Sequence, residues 1–375
     1  MQRYITPAFI QQLHLNKILQ ISGPPKIGKV DFATKILTQQ NFPHEVIDFK
    51  NKEIRKKFNE LSDEEFIWYF KQFPYFVIGN AQLFNRLQFL IDFILNETVQ
   101  TTLILCNAYK APMHEDLKTV LEWQGLDFYL PAPSFYELSQ LNGFTKEDKK
   151  IEERLIYGNY AQVDDSPENA NEILMEMVNA CLETQIGVDD RINKRDALLK
   201  TLQVAAHLIG EPISFNQIAE RVGIDNETVE RYLKLLEAAH LLFLLPSFHT
   251  EKRYELKKTH IVYFSDNGLR NALINNFNPL DVRMDEDALW RNWLVAERIK
   301  WNKMNGKVTK YFFWRSHTRQ HIDFIEMQES KTFAYRFALD KKKKIKNAPL
   351  FTSYYPEFIF KPVQRNSFLT FLTQK

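Results

Sequence analysis

Residues Gly23 to Val30, GPPKIGKV, set two glycines and a lysine at the spacing that cradles phosphate. The phosphate-binding loop reads G-x-x-x-x-G-K-[ST]. Backbone N–H groups wrap the anion at a helix N-terminus, the lysine neutralises charge, and the final hydroxyl ligates magnesium. Gly23, Gly28 and Lys29 meet that pattern, with Pro24, Pro25, Lys26 and Ile27 between them. Val30 does not, because an isopropyl group cannot ligate a metal. Asp31 follows and sets a negative charge beside the anion site, where it repels a phosphate. Two readings stay open on these residues. One is weak binding of ATP without magnesium. The other is an inherited turn whose lysine is solvated or pairs with an internal acid.

Other chemistry-bearing residues are sparse. Cys106 and Cys181 make neither a disulfide framework nor a cysteine zinc site. The nine histidines show no metal-binding spacing, and Ser265, Asp266 and His321 form no recognisable triad. Trp290, Trp293 and Trp301 recur at helical spacing and fit a core better than a base-stacking platform.

The elements around the loop suit it. KILQIS (17–22) reads as a buried strand, and Phe32, Ala33, Ile36 and Leu37 follow at helical spacing. EVIDFK (45–50), YFVIGN (75–80), TLILCN (102–107) and LDFYLP (126–131) read as further strands, with helical patterns at 63–73, 83–96 and 113–123. Strands alternating with helices predict a parallel sheet covered on both faces. From about residue 135 the chain reads as mostly helical. Residues 213–245 predict a helix-turn-helix with Asn226 capping the second helix and an apolar strand, HLLFLLP, behind it. Glu227 and Glu230 near the start of that helix would face DNA phosphates unfavourably, with Arg231 and Lys234 offsetting them only in part, so a packing role is favoured over DNA reading. Residues 287–301 predict an amphipathic helix. KYFFWRS, HIDFIEM and TFAYRFALD predict strands, the first two an antiparallel pair, and PEFIFKPV closes the sheet.

The 375 residues are 45 % apolar and 26 % charged, ordinary for a globular chain. No signal peptide and no membrane-spanning run is recognised, and a cytoplasmic protein is expected. The net charge of +2 is unevenly spread. Residues 251–375 carry 24 Lys and Arg against 13 Asp and Glu, the rest 25 against 34. The basic C-terminal part is therefore expected to meet nucleic acid, a protein partner or the acidic part of its own chain. KKKKIK (341–346) reads as a solvated loop.

Taken together, ISGPPKIGK, LPAPSFYEL, RLIYGNYAQV, the helix-turn-helix, IVYFSDNGLRNAL, ALWRNWLVAERI and FFWRSHTRQHIDFI carry a resemblance. The chain resembles the bacterial and archaeal AAA-type ATPases with a C-terminal domain of unknown function and restriction-endonuclease-like fold. The resemblance spans nearly the whole chain. It implies an α/β protein with a P-loop, AAA-like parallel-sheet domain (1–134), a helical lid (135–194), a winged helix-turn-helix (195–250) and a mixed α/β nuclease-like domain (251–375). It also implies consecutive acids after the third strand, where this chain has Gly79 and Asn80, although the following Gln82 remains. An arginine is implied where Leu126 stands. Metal hydroxyl, metal acid, catalytic carboxylate and arginine are thus all replaced, and a non-hydrolysing, pseudoenzyme-like binding protein is the leading expectation. Asp48 and Glu115 are acids elsewhere, but no spacing supports them as substitutes. An active ATPase acting on DNA and a winged-helix regulator are the alternatives. In the nuclease-like domain the resemblance implies acids at Glu297 and Asp323, while the expected acid-x-lysine falls on Arg336 and Ala338, or on Asp340 and Lys342 if the register slips. A salt-bridged surface at Glu297 and Asp323, with Arg336 in the vacated metal site, is the favoured reading.

Overall fold

Five short apolar runs become the strands of one sheet, four of them largely buried and the run at 44–48 buried only at Ile47. The structure, a computed structural model, describes residues 3–96, 100–107, 121, 124–188, 195–249, 259–329, 331–340 and 345–373. The chain divides into two compact units, Met1–Pro131 and Ala132–Lys375.

In the first unit, β1 (Ile18–Ser22), β2 (His44–Asp48), β3 (Tyr75–Gly79), β4 (Thr102–Asn107) and β5 (Asp127–Tyr129) are all parallel, in the order β2-β3-β4-β1-β5. The alternation of strands and helices thus yields the expected α/β parallel sheet. Helices α1 (Thr6–Leu13), α2 (Lys29–Gln39), α3 (Lys52–Glu60), α4 (Asp63–Phe70) and α5 (Leu87–Asn96) lie between and before the strands. Ser62 and Glu65 form a reciprocal capping box that starts α4. Apolar burial under α3 to α5 is largely aromatic: Phe49 stacks on Phe84 at 3.9 Å, with Phe58, Phe66 and Phe70 around them. The predicted helix at 113–123 falls almost wholly outside the described residues, as does Glu115.

The second unit begins with helices α6 (Phe135–Asn142), α7 (Phe144–Lys149), α8 (Ile151–Tyr157), α9 (Ala161–Asp165), α10 (Ala170–Val188) and α11 (Arg195–His207). Next come α12 (Phe215–Val222) and α13 (Asn226–Ala238), the expected pair of helices around a Gly-containing turn. The cap of α13 is Asp225 rather than Asn226: its carboxylate accepts from Thr228 N at 2.7 Å and from the Thr228 hydroxyl at 2.8 Å. Strands β6 (Pro212–Ile213), β7 (Leu242–Pro246) and β8 (His260–Phe264) form an antiparallel sheet of order β6-β8-β7.

The remainder carries α14 (Asn267–Leu273), α15 (Glu286–Met304), β9 (Lys310–Arg315), β10 (His321–Met327), β11 (Thr332–Ala338), α16 (Pro349–Tyr354), β12 (Ile359–Gln364) and α17 (Phe368–Thr373). The sheet order is β12-β11-β10-β9, with β11 and β12 parallel and the other pairs antiparallel. Lys341 to Lys344 of the lysine run are outside the described residues.

Helix α15 departs from its amphipathic expectation. Residues 289–302 are buried on nearly all sides, polar ones included, because each long polar head finds an internal partner. Arg298 grips Glu326 through Nε and Nη2, both at 2.9 Å, and Asn302 donates to the same carboxylate at 2.8 Å. Asn292 both accepts from and donates to the Phe264 backbone. The three tryptophans are core residues, as their spacing predicts.

Candidate functional site

The loop Gly23–Gly28 leaves the C-terminal end of β1 and enters α2, as the phosphate-binding pattern requires. A Cβ at Gly23 would stand 2.2 Å from the Leu130 carbonyl oxygen, so only glycine lets the loop pass β5. Lys26 and Gly28 both take left-handed backbone angles, φ 57° and 83°. Pro24 and Pro25 are buried, and Lys26 projects to solvent.

The lysine faces inward. Lys29 Nζ donates to the carbonyls of Gly23 at 2.9 Å and Pro24 at 2.6 Å, and the side chain is buried. Its charge thus closes the loop on itself. The carboxylate of Asp31 lies 3.6 Å from where a Cβ on Gly28 would stand, close to the positive end of α2.

Residues that would hold magnesium do not fit a metal. Val30 and Gly79, where the loop pattern and the resemblance imply ligands, lie close together: a Cβ on Gly79 would meet Val30 Cγ2 at 3.1 Å. The same Cβ would meet Cγ and Oδ1 of Asp48 at 3.2 Å. Asp48, from the end of the neighbouring strand β2, therefore occupies the space beside Gly79. Its Oδ1 accepts from Asn80 Nδ2 at 2.7 Å and Lys50 N at 2.9 Å, so the carboxylate is held by protein donors. Gln82 Nε2 reaches Asn80 Oδ1 at 3.4 Å, and Gln82 Oε1 has no partner among the described residues. Leu126, at the position of the implied arginine, is a core residue 4 % exposed. At the end of β4, burial pushes the Cys106 thiol up to about 12, with Lys29 opposing and Asp48 and Asp31 adding to the shift. That thiol is protonated and unreactive near neutrality.

The motifs shared by the second unit's helices build a buried polar lattice. Asp266 accepts from Asn159 N and Gly268 N, each at 2.8 Å, and from Leu269 N at 3.4 Å. Gly158 lies so close that its Cβ would overlap Asp266 Oδ1 at 1.9 Å, and a Cβ on Gly268 would meet the Tyr157 carbonyl at 2.2 Å. Asn267 and Asn271 donate to α8 carbonyls, tying α8 to α14. The segments 154–163 and 261–273 thus hold helices together.

Glu297 belongs to this lattice. Its oxygens accept from Phe135 N at 2.6 Å, Asn159 Nδ2 at 3.0 Å and Lys300 Nζ at 2.7 Å. It is ion-paired as expected, but buried rather than on a surface. Burial raises its pKa against the opposing pull of Lys300. Asp323 stands apart: Oδ2 accepts from Phe337 N at 2.9 Å, while Oδ1 lies 3.8 Å from Arg291 Nη1 and 3.7 Å from His321 Nε2. The expected pairing of Glu297 with Asp323 in one site is therefore not what the fold builds, because six residues along α15 rotate Glu297 away from Arg291's face. Arg336 and Ala338 do line the cleft beside Asp323, but Glu297 does not. Asp340 is absent from that lining, and Lys342 lies outside the described residues. Among the described residues no group of three or more His, Cys, Asp or Glu is placed to hold a metal ion. Sequence reasoning named Asp48 but found no spacing to support it, and it missed Arg291. Neighbouring strand order and helix facing, which no local spacing carries, would have been needed to find them.

Residues 148–280 match a family model described as a domain of unknown function, DUF8612. A curated Haemophilus influenzae protein, described as uncharacterized, is 24 % identical over 218 residues, which is 53 % of this chain and 52 % of the relative. The match spans about half the length of that relative. Among solved structures, the Walker-type ATPase PABY2304 of Pyrococcus abyssi is 12 % identical, with a TM-score of 0.48, covering 72 % of this chain and 94 % of that one. The Thermotoga maritima RuvB Holliday junction branch migration motor is 14 % identical, with a TM-score of 0.32, covering 65 % and 86 %. No helix among the described residues is long and apolar enough to cross a membrane.

Proposed function

We propose that this chain is an AAA-ATPase-like protein whose nucleotide machinery is degenerate, and that it works by binding rather than by hydrolysing ATP. One observation carries the reading: Val30 and Gly79 pack against each other where a hydroxyl and an acid would share a magnesium ion. The carboxylate nearest that point, Asp48, is engaged by Asn80 and Lys50. Without the metal and an arginine, charge building up on a leaving phosphate has no stabiliser. The loop keeps its turn and its lysine, which suits weak, metal-independent nucleotide binding at Gly23 to Val30. In the second unit, α12 and α13 with the β6-β8-β7 sheet suit a winged helix, and α15 with β9 to β12 suits a nuclease-like fold without cutting chemistry. Partner contact is assigned to the basic C-terminal part, nucleic acid being the first partner to test. The exposed start of α13 carries Asp225 and Glu227, and Lys234 is engaged with Glu230 at 2.6 Å, which disfavours major-groove reading by that helix.

Calorimetric titration with ATP, with and without magnesium, alongside a phosphate-release assay, tests the proposal. Binding that is absent or indifferent to magnesium, with no release above background, is expected. Steady phosphate release that disappears in Lys29→Ala would overturn it.

A further inference from the structure

The second unit holds a cleft of about 350 Å³ that the loop reading does not use. Arg291, His321, Asp323, Arg336 and Lys346 line it, with Asp287 at its side. A register shift between Ile322 and Ile325 inserts one extra residue into β10 opposite β9, a bulge that spans Asp323. Bulges of this kind turn a side chain out of the regular pleat. Here the freed carboxylate takes the Phe337 N–H in place of a strand carbonyl, and its other oxygen faces the cleft.

The arginines around that oxygen are loosely engaged. Arg291 stands 3.8 Å from Asp323 and 3.8 Å from Glu211, both beyond hydrogen-bond reach. Its one hydrogen bond among the described residues is from Nε to the Asp287 carbonyl at 3.3 Å, which leaves the Nη donors unfilled. Arg315 faces Glu211 at 3.7 Å in the adjoining cleft, which also shares Arg291 and Asp323. Arg336 Nη1 is anchored on the Lys346 carbonyl at 2.7 Å, and Nη2 points at His321 Nε2 at 3.3 Å. Burial lowers the His321 pKa, in keeping with a neutral ring that accepts from Arg336.

We propose that this cleft binds a tetrahedral phosphate group, presented either by a nucleic-acid backbone or as free phosphate. Guanidinium forks match phosphate oxygens two at a time, and the preset arginines lose little freedom on doing so. Across this and the adjoining cleft Arg291, Arg315, Arg336 and Lys346 outnumber Asp287, Asp323 and Glu211, four against three, so the paired clefts favour an anion. Asp323 weakens the binding by like charge. The assignment deepens the proposed role of the basic C-terminal part and is independent of whether the loop takes ATP.

The test uses the full chain, a fluorescein-labelled DNA duplex followed by anisotropy, and inorganic phosphate followed by calorimetry. Arg291→Gln and Arg336→Gln should each weaken binding about tenfold. For DNA each should also reduce the salt slope by about one. Asp323→Asn should tighten binding severalfold. DNA binding competed by phosphate identifies the backbone as the source, and phosphate binding without DNA binding identifies the free ion. Binding of neither probe, or binding indifferent to both arginine substitutions, overturns the proposal. Circular dichroism and melting establish that each variant is folded, and Arg336→Gln carries the test if Arg291→Gln does not fold. ATP turnover by the same preparation would sink the non-hydrolysing reading and leave the cleft untouched.

Discussion

Restoring an acid at the end of β3 should fail unless Asp48 is changed with it. A side chain at Gly79 would start 3.1 Å from Val30 Cγ2 and 3.2 Å from Asp48 Oδ1. Neighbours must yield to contacts that short, and overpacking of this kind costs about 1–3 kcal/mol. Gly79→Asp also brings a second carboxylate to roughly 4 Å from the first. At an effective dielectric constant of about 20 the repulsion approaches about 4 kcal/mol. Asp48 is partly exposed, so relaxation and solvent screening reduce this to about 2 kcal/mol. The single variant should therefore lose about 3–5 kcal/mol. At about 2–4 °C per kcal/mol its melting temperature should fall by roughly 6–20 °C. Asp48→Asn in the same chain removes the repulsion and should recover about 2 kcal/mol, while its amide oxygen still accepts from Asn80 and Lys50. Scanning calorimetry of the wild type, both single variants and the double variant gives a coupling energy for the pair. A coupling of zero, with Gly79→Asp melting like the wild type, would refute the placement of Asp48 beside the missing acid.

Other consequences are as direct. Lys29→Met should lower the melting temperature in the absence of any nucleotide, by the equivalent of about 1–3 kcal/mol, because two loop carbonyls lose a charged donor; an unchanged melt would mean that the lysine is not structural. Gly158→Ala should cost about 2–5 kcal/mol, since its Cβ overlaps Asp266 and the φ of 77° disfavours any other residue; soluble yield and melting report it. Burial would raise the pKa of Asp285, but hydrogen bonds from Arg283 and the pairing with Arg270 bring it down to about 2. A carboxylate depressed in this way contributes stability above about pH 4 that is lost as pH falls through 2. Asp285→Asn should therefore lower stability at pH 7 by about 1–2 kcal/mol and flatten the acid limb of the melting profile between about pH 4 and 2.

Local patterns carried much of this protein. Period-two and continuous apolar runs placed all five strands of the first sheet within about a residue or two of their observed bounds. The glycine–lysine spacing located the loop, and the valine at its end was legible as a side chain that cannot ligate a metal, because ligand chemistry is a property of one side chain. What α15 does was hidden. Its pattern of charges looks like a wet face, and only packing against β8, β10 and α6 turns those charges inward to buried partners. The glycine at the end of β3 was likewise visible as a letter, whereas the groups packed around it were not. Asp48 and Gly79 are far apart in sequence and become neighbours because β2 pairs with β3 in register, Asp48 opposite Gly79. Glu297 and Asp323 were both noticed as acids, yet helix phase and a strand bulge send them to different places. Residue type determined which chemistry was available or lost; strand order, register and helix rotation decided which groups meet, because those relations join residues that no local spacing links.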